Sequence, residues 1–144
     1  MAMNRNYIWL FTVLVLLMGF WLFGQSQDAA DKTQTVAFQN WDVHQVKEYL
    51  EKNPDTILID VRTAPEFTGE LGHIPGATLK PLQEIEKWYG ELEKEKDKKI
   101  ILVCRSGNRS GVAAGFLAKK GFTDVVNMSG GMRAWNAAKY EVAK

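Results

Sequence analysis

The chain of 144 residues holds a single cysteine and only two histidines, and those scarcities close several routes. One thiol forms no internal disulfide. Cys104 with the distant His44 and His73 shows no zinc-ligand spacing, so no metal is expected. An excess of one charge sign is lacking too: 18 basic side chains face 17 acidic ones, for a formal net charge of +1. That balance gives no basic surface for nucleic acid. Repeats at a solenoid period and low-complexity tracts are also absent, and with 46% hydrophobic and 24% charged residues the bulk has the composition of a folding domain.

One long apolar run is present. Residues 7–23, YIWLFTVLVLLMGFWLF, carry no charge. As a helix this run would extend about 26 Å, close to a bilayer core. Tyr7, Trp9 and Trp21 sit where interfacial aromatics belong; Arg5 precedes the run, and Asp28 and Asp31 follow it. The charge bias puts the N-terminus in the cytoplasm and everything after Gly24 outside. The run is longer than the apolar core of a signal peptide, and Gly24-Gln25-Ser26 is a weak cleavage site. Residues 1–24 are therefore expected to be a single-pass anchor, with secretion after cleavage as the alternative. Residues 25–34 read as a polar linker, and residues 35–144 as the domain.

Within the domain, Asn40 or Asp42 caps a helix through about Lys52, with Val43, Val46 and Leu50 on one face. Residues 56–61 and 99–104 are continuous aliphatic runs bounded by turn residues, the pattern of strands buried on both faces. Residues 124–128 give a shorter third run, and residues 35–38 an edge strand. Helical patterns cover residues 82–94, 109–120 and 132–139. Strands alternating with helices define an α/β fold with a parallel sheet. Eight charged residues among the nine of 91–99 read as a solvated helix end.

In such sheets ligands bind beyond the carboxyl ends of strands, and Cys104 lies at that kind of junction, in VCRSGNRSGV. Gly107 accepts positive φ and Asn108 tolerates it, so successive amides can turn toward one point. Ser110 is placed to cap the following helix, and Arg105 and Arg109 bring two guanidinium groups. Each feature favours thiolate; cysteines in such surroundings titrate from about 3.5 to 7.5 rather than near 8.5. Two chemistries suit a nucleophile so placed: attack on a sulfane sulfur, leaving a persulfide, or attack on phosphorus, leaving a thiophosphate. Four residues separate Cys104 from Arg109, one fewer than cysteine phosphatases use to ring a phosphoryl group, which favours sulfur.

Asp60, Arg62 and Glu66 read as an ion-pair cluster fixing the turn after a strand, in preference to a general base. A Cys–His hydrolase would need His73 oriented on Cys104, and no sequence pattern pairs them. Gly130-Gly131 permits close approach to the cysteine loop; Gly107, Gly111 and Gly115 suit close helix-to-sheet packing; Trp135 reads as core.

Three stretches, LIDVRTAPEFTGELGHIPGATL at 58–79, VCRSGNRS at 103–110 and VVNMSGGMRAW at 125–135, resemble in order and spacing the signatures of single-domain rhodaneses, the thiosulfate sulfurtransferases. The resemblance covers most of residues 35–140. It implies a five-stranded parallel sheet flanked by helices, with Cys104 carrying the transferred sulfur. It further implies that the backbone amides of Arg105, Ser106, Gly107, Asn108 and Arg109 surround the persulfide, that Arg105 assists the anionic donor, and that Asp60 and Arg62 lend support. Arg109 departs from many relatives, which carry a small or polar residue there. The implied reaction moves sulfur from thiosulfate or a persulfide to a thiol or cyanide, without metal or organic cofactor. A second reading keeps the fold as a non-turnover binding or redox-sensing module around an exposed thiolate outside the cytoplasm.

Overall fold

The computed structural model describes residues 37–144. The apolar run of 7–23, the linker of 25–34 and the first two residues of the expected edge strand lie outside the described residues. Among the described residues no helix is long and apolar enough to cross a membrane.

The elements follow in the order β1 (Gln39–Trp41), α1 (Val43–Lys52), β2 (Ile57–Asp60), α2 (Ala64–Phe67) and β3 (Thr78–Leu79). A mixed helical stretch comes next, with 3-10 turns at Leu82–Glu84 and Tyr89–Glu95 around α3 (Ile85–Trp88). Then come β4 (Ile100–Val103), α4 (Asn108–Lys119), β5 (Val125–Met128) and α5 (Gly131–Ala137). The strands form one parallel sheet in the order β1-β5-β4-β2-β3, as the α/β reading expects.

β4 is central and buried throughout, and its alternation sorts the core into two layers. Ile100, Leu102 and Cys104 face one side, with Trp88, Ala113, Ala114 and Leu117. Ile101 and Val103 face the other, with Val43, Val46, Met132 and Trp135. The cysteine's side is thus fixed by strand periodicity alone: it points toward α4.

Three elements differ from expectation. The edge strand is Gln39–Trp41, and residues 37–38 of the expected strand precede it, because a strand paired only with β5 is half exposed and accepts polar residues, while Phe38 packs near Gly115 of α4. The helix expected over residues 82–94 is broken into 3-10 and α turns, with Gly90 in its second half. β3 and α2 carry no periodicity long enough to read. Asp42, rather than Asn40, caps α1: its carboxylate accepts from the amides of His44 and Gln45, and Gln45 returns a bond to the Asp42 amide.

Candidate active site

Cys104 follows the last residue of β4, and the chain wraps around its sulfur before entering α4. Gly107 holds φ +97 and is the N-cap of α4. Its amide donates to Cys104 Sγ at 3.1 Å. Ser110, expected to cap the helix, lies inside the first turn and is fully buried; its Oγ is 3.3 Å from the sulfur. A left-handed glycine at the cap releases the serine for the thiol.

The sulfur is buried, at 1% exposure, which corrects the expectation of an exposed thiolate. Burial pushes the thiol up. The Ser110 hydroxyl and the amides of Ser110, Ser106 and Gly107 outweigh that effect and hold Cys104 below the ordinary thiol value.

α5 presses the loop into shape from the opposite face. The amide of Met132 donates to the Cys104 carbonyl at 2.8 Å, and that of Arg133 to the Arg105 carbonyl at 3.0 Å. Their approach requires glycine at 131: a Cβ there would lie 2.4 Å from the Cys104 carbonyl oxygen and 2.6 Å from the Ser106 nitrogen. Gly130 and Gly131 both adopt positive φ, at +78 and +57. The close approach expected of this glycine pair is therefore present, and Gly111 packs against Asn127 of β5 as the glycine spacing on α4 suggested.

The two arginines take different places. Arg109 sends both terminal nitrogens to Glu66, at 2.8 and 2.6 Å, so its charge is largely matched before it acts on the sulfur. Glu66 also accepts from the amide and hydroxyl of Thr63, and with Arg109 foremost these donors hold its carboxyl at about 2 against some desolvation. Arg105 is exposed and lines a cleft of about 190 Å³ with Arg62, Glu66 and Glu70. Asn108 is exposed at the start of α4.

The expected Asp60–Arg62–Glu66 cluster is really two pairs. Arg62 Nε and Nη2 both bind the Asp60 carboxylate, with Nη2 to Oδ2 at 2.6 Å, and each residue is 1% exposed. Arg62 also donates to the Gly72 carbonyl at 2.6 Å, fixing the loop after β2. Glu66 belongs to Arg109 instead. His73 stacks on Phe67 with ring centroids 3.7 Å apart, and its Nδ1 lies 3.1 Å from the Phe67 carbonyl oxygen, so it is occupied elsewhere. Trp135 is core, donating to the Glu141 carbonyl.

Sequence reasoning missed Asn127 here and read Asn40 only as a helix cap. Asn127 accepts from Ser110 Oγ at 2.6 Å and donates to Asn40 at 2.8 Å. The signal was present: an amide in VVNM, on a strand that otherwise reads as fully apolar, needs buried partners.

A parallel sheet with a lone nucleophile at the end of its central strand, ringed by inward-turned donors, defines a class of cysteine-loop α/β proteins. This chain belongs to the rhodanese-like domain family, whose family model matches residues 42–138. The thiosulfate sulfurtransferase GlpE of Pseudoalteromonas translucida is 38% identical over 106 residues, covering 74% of this chain and 96% of that protein. A sulfurtransferase of Allochromatium vinosum is 34% identical over 94 residues, covering 65% and 84%. The crystal structure of a rhodanese-like domain protein from Staphylococcus aureus superposes with a TM-score of 0.62 at 29% identity, covering 74% of this chain and 99% of that one.

Proposed function

We propose that this protein is a sulfurtransferase that takes sulfane sulfur from thiosulfate, or from a persulfide donor, onto Cys104 and hands it to a thiol or cyanide. The observation that carries this reading is the placement of Cys104 Sγ 3.1 Å from the Gly107 amide and 3.3 Å from the Ser110 hydroxyl, in a loop with only four residues before Arg109. These donors favour the thiolate, which attacks the outer sulfur of thiosulfate. The new bond joins Cys104 Sγ to that sulfur, the sulfur–sulfur bond of the donor breaks, and sulfite leaves with the electron pair. The Cys104 persulfide then carries the negative charge on its outer atom, where loop amides can receive it. An acceptor thiolate or cyanide attacks that atom and regenerates the Cys104 thiolate.

Arg105, at the mouth of the cleft beside the loop, is the cation placed to meet an incoming anion. Arg109 serves chiefly to hold the loop through Glu66. Residues 7–23 act in this reading as a single-pass anchor, with the domain extracytoplasmic; the uncharged run and its flanking charges support it.

Incubation with thiosulfate is expected to add the mass of one sulfur atom to the intact protein, and Cys104→Ser to abolish the gain. No gain with thiosulfate or any persulfide donor overturns the sulfurtransferase reading. The 1% exposure of the thiol favours one competitor, a module that loads once and does not turn over. More than one thiocyanate formed per protein in excess cyanide excludes that competitor. The mass of protein extracted from membranes also reports whether the N-terminal segment is retained.

A further inference from the structure

β5 is buried along its whole length, yet its third residue is an amide. Asn127 is 6% exposed, and a carboxamide so placed is costly unless both ends are partnered. Both are. Its Nδ2 donates to Asn40 Oδ1 of β1 at 2.8 Å, which leaves Oδ1 facing Ser110 Oγ at 2.6 Å. Gly111 of α4 lies against this amide: a Cβ there would sit 3.4 Å from Nδ2, an ordinary packing contact.

Ser110 Oγ therefore stands between two acceptors, Asn127 Oδ1 at 2.6 Å and Cys104 Sγ at 3.3 Å. A serine hydroxyl has one proton to give and lone pairs with which to accept. With a neutral thiol, the S–H donates to Ser110 Oγ and the hydroxyl proton goes to Asn127. With a thiolate, the sulfur becomes the stronger acceptor and attracts the same proton. A rotation about one side-chain bond separates the two arrangements.

We propose that Asn127 is a positioning residue that acts through Ser110 on the ionisation of Cys104, holding the hydroxyl proton while the sulfur is neutral and releasing it when the sulfur is charged. The proposal deepens the sulfurtransferase reading and rests on Cys104 being its nucleophile. Ionisation sends the thiol proton to solvent and turns the hydroxyl to Sγ. Attack on a sulfane donor then moves the negative charge from Sγ to the outer sulfur, and the hydroxyl returns to Asn127. The charged groups on the elements around the sulfur are Arg105 in the loop, Arg109 on α4 with its partner Glu66, and the Asp60–Arg62 pair at the end of β2, while Arg133 of α5 is exposed and meets the loop through its backbone amide. β5 presents only the neutral amide, so changes at Asn127 act without removing a charge.

The thiolate absorbance of the purified protein, followed against pH without any sulfur donor, tests this directly, because the chain has one cysteine. Ser110→Ala is expected to raise the thiol pKa by about one pH unit. Asn127→Leu, which removes the competing acceptor, is expected to lower it by a similar amount, and to have no effect once Ser110→Ala is present. A residue that only supports packing would alter stability without this dependence on Ser110. Asn40→Ala is a milder variant on the exposed edge strand; by freeing the amide to turn its nitrogen toward Ser110, it is expected to lower the pKa in the same direction. The proposal is overturned if Asn127→Leu raises the pKa, leaves it unchanged or shifts it equally without Ser110. Should Asn127→Leu not fold, an unchanged pKa in Asn40→Ala overturns it. Sulfur uptake measured separately by mass keeps this outcome distinct from failure of the sulfurtransferase reading.

Discussion

Glu66 gathers more donors than an ordinary partly exposed carboxylate. Two guanidinium nitrogens of Arg109 reach it, and Thr63 adds its amide and its hydroxyl. The ordinary value of 4.5 falls to about 2 in the folded protein, first through Arg109. A carboxyl depressed in the folded state stabilises the fold fully above its unfolded value and loses that contribution as pH drops through the folded one. With the side chain 27% exposed, solvent screening reduces the contribution to about 1 kcal/mol. Glu66→Gln is therefore expected to lower stability by about 1 kcal/mol at neutral pH. Urea unfolding at a series of pH values should show the gap between the two proteins closing as pH falls from 4.5 toward about 2. A gap that stays constant over that interval would show that the pair contributes nothing electrostatic.

α5 shapes the site without contributing a side chain to it. Its first residue, Gly131, has φ +57 and leaves no room for a Cβ against the Cys104 carbonyl. Gly131→Ala should lift α5 from the loop, break the bonds from the Met132 and Arg133 amides, and cost more than about 2 kcal/mol. Sulfur uptake should fall with it. Gly121 is the matched control: φ is +90, but a Cβ would meet nothing within 4 Å. Gly121→Ala should therefore cost only about 1 kcal/mol and leave uptake intact. Equal losses of uptake in the two variants, by denaturation and intact mass, would refute the role given to α5. The same comparison shows why elements were unequally readable in the sequence. β2, β4 and β5 are short strands dominated by apolar residues, and α1 carries its own cap in Asp42, so local pattern was enough. The stretch over residues 82–95 places Ile85, Trp88 and Leu92 in the core at steps of three and four, the spacing of a continuous α-helix, so periodicity did not show the 3-10 turns around α3. Cys104 and its glycines were readable because they lie together in the chain. The partners of Ser110 and Arg109 were not, because Asn127 and Glu66 meet them only through the sheet order.

That order, β1-β5-β4-β2-β3, sets the carboxyl ends of β2, β4 and β5 side by side, with Cys104 after the central strand. The loop after β2 must then be held over the site, and the buried Asp60–Arg62 pair holds it. Arg62 ties the Asp60 carboxylate to the Gly72 carbonyl, while Glu66, between them in sequence, reaches across to Arg109 on α4. Removing one partner of a fully buried pair leaves an uncompensated charge and costs about 3–5 kcal/mol. Domain stability amounts to only about 5–15 kcal/mol. Arg62→Met should thus bring the protein near unfolding, whereas Asp60→Asn combined with Arg62→Met, which removes both charges, should recover most of the loss. Sulfur loading should not recover with it, because Gly72 still lacks its donor and the loop that carries Glu66 is no longer tied to β2. Denaturant midpoints and loading rates on both variants separate the two contributions. If the double variant regains stability and loading together, the buried pair is a folding device alone; if it regains stability only, the pair also holds the cysteine loop in register through Glu66 and Arg109.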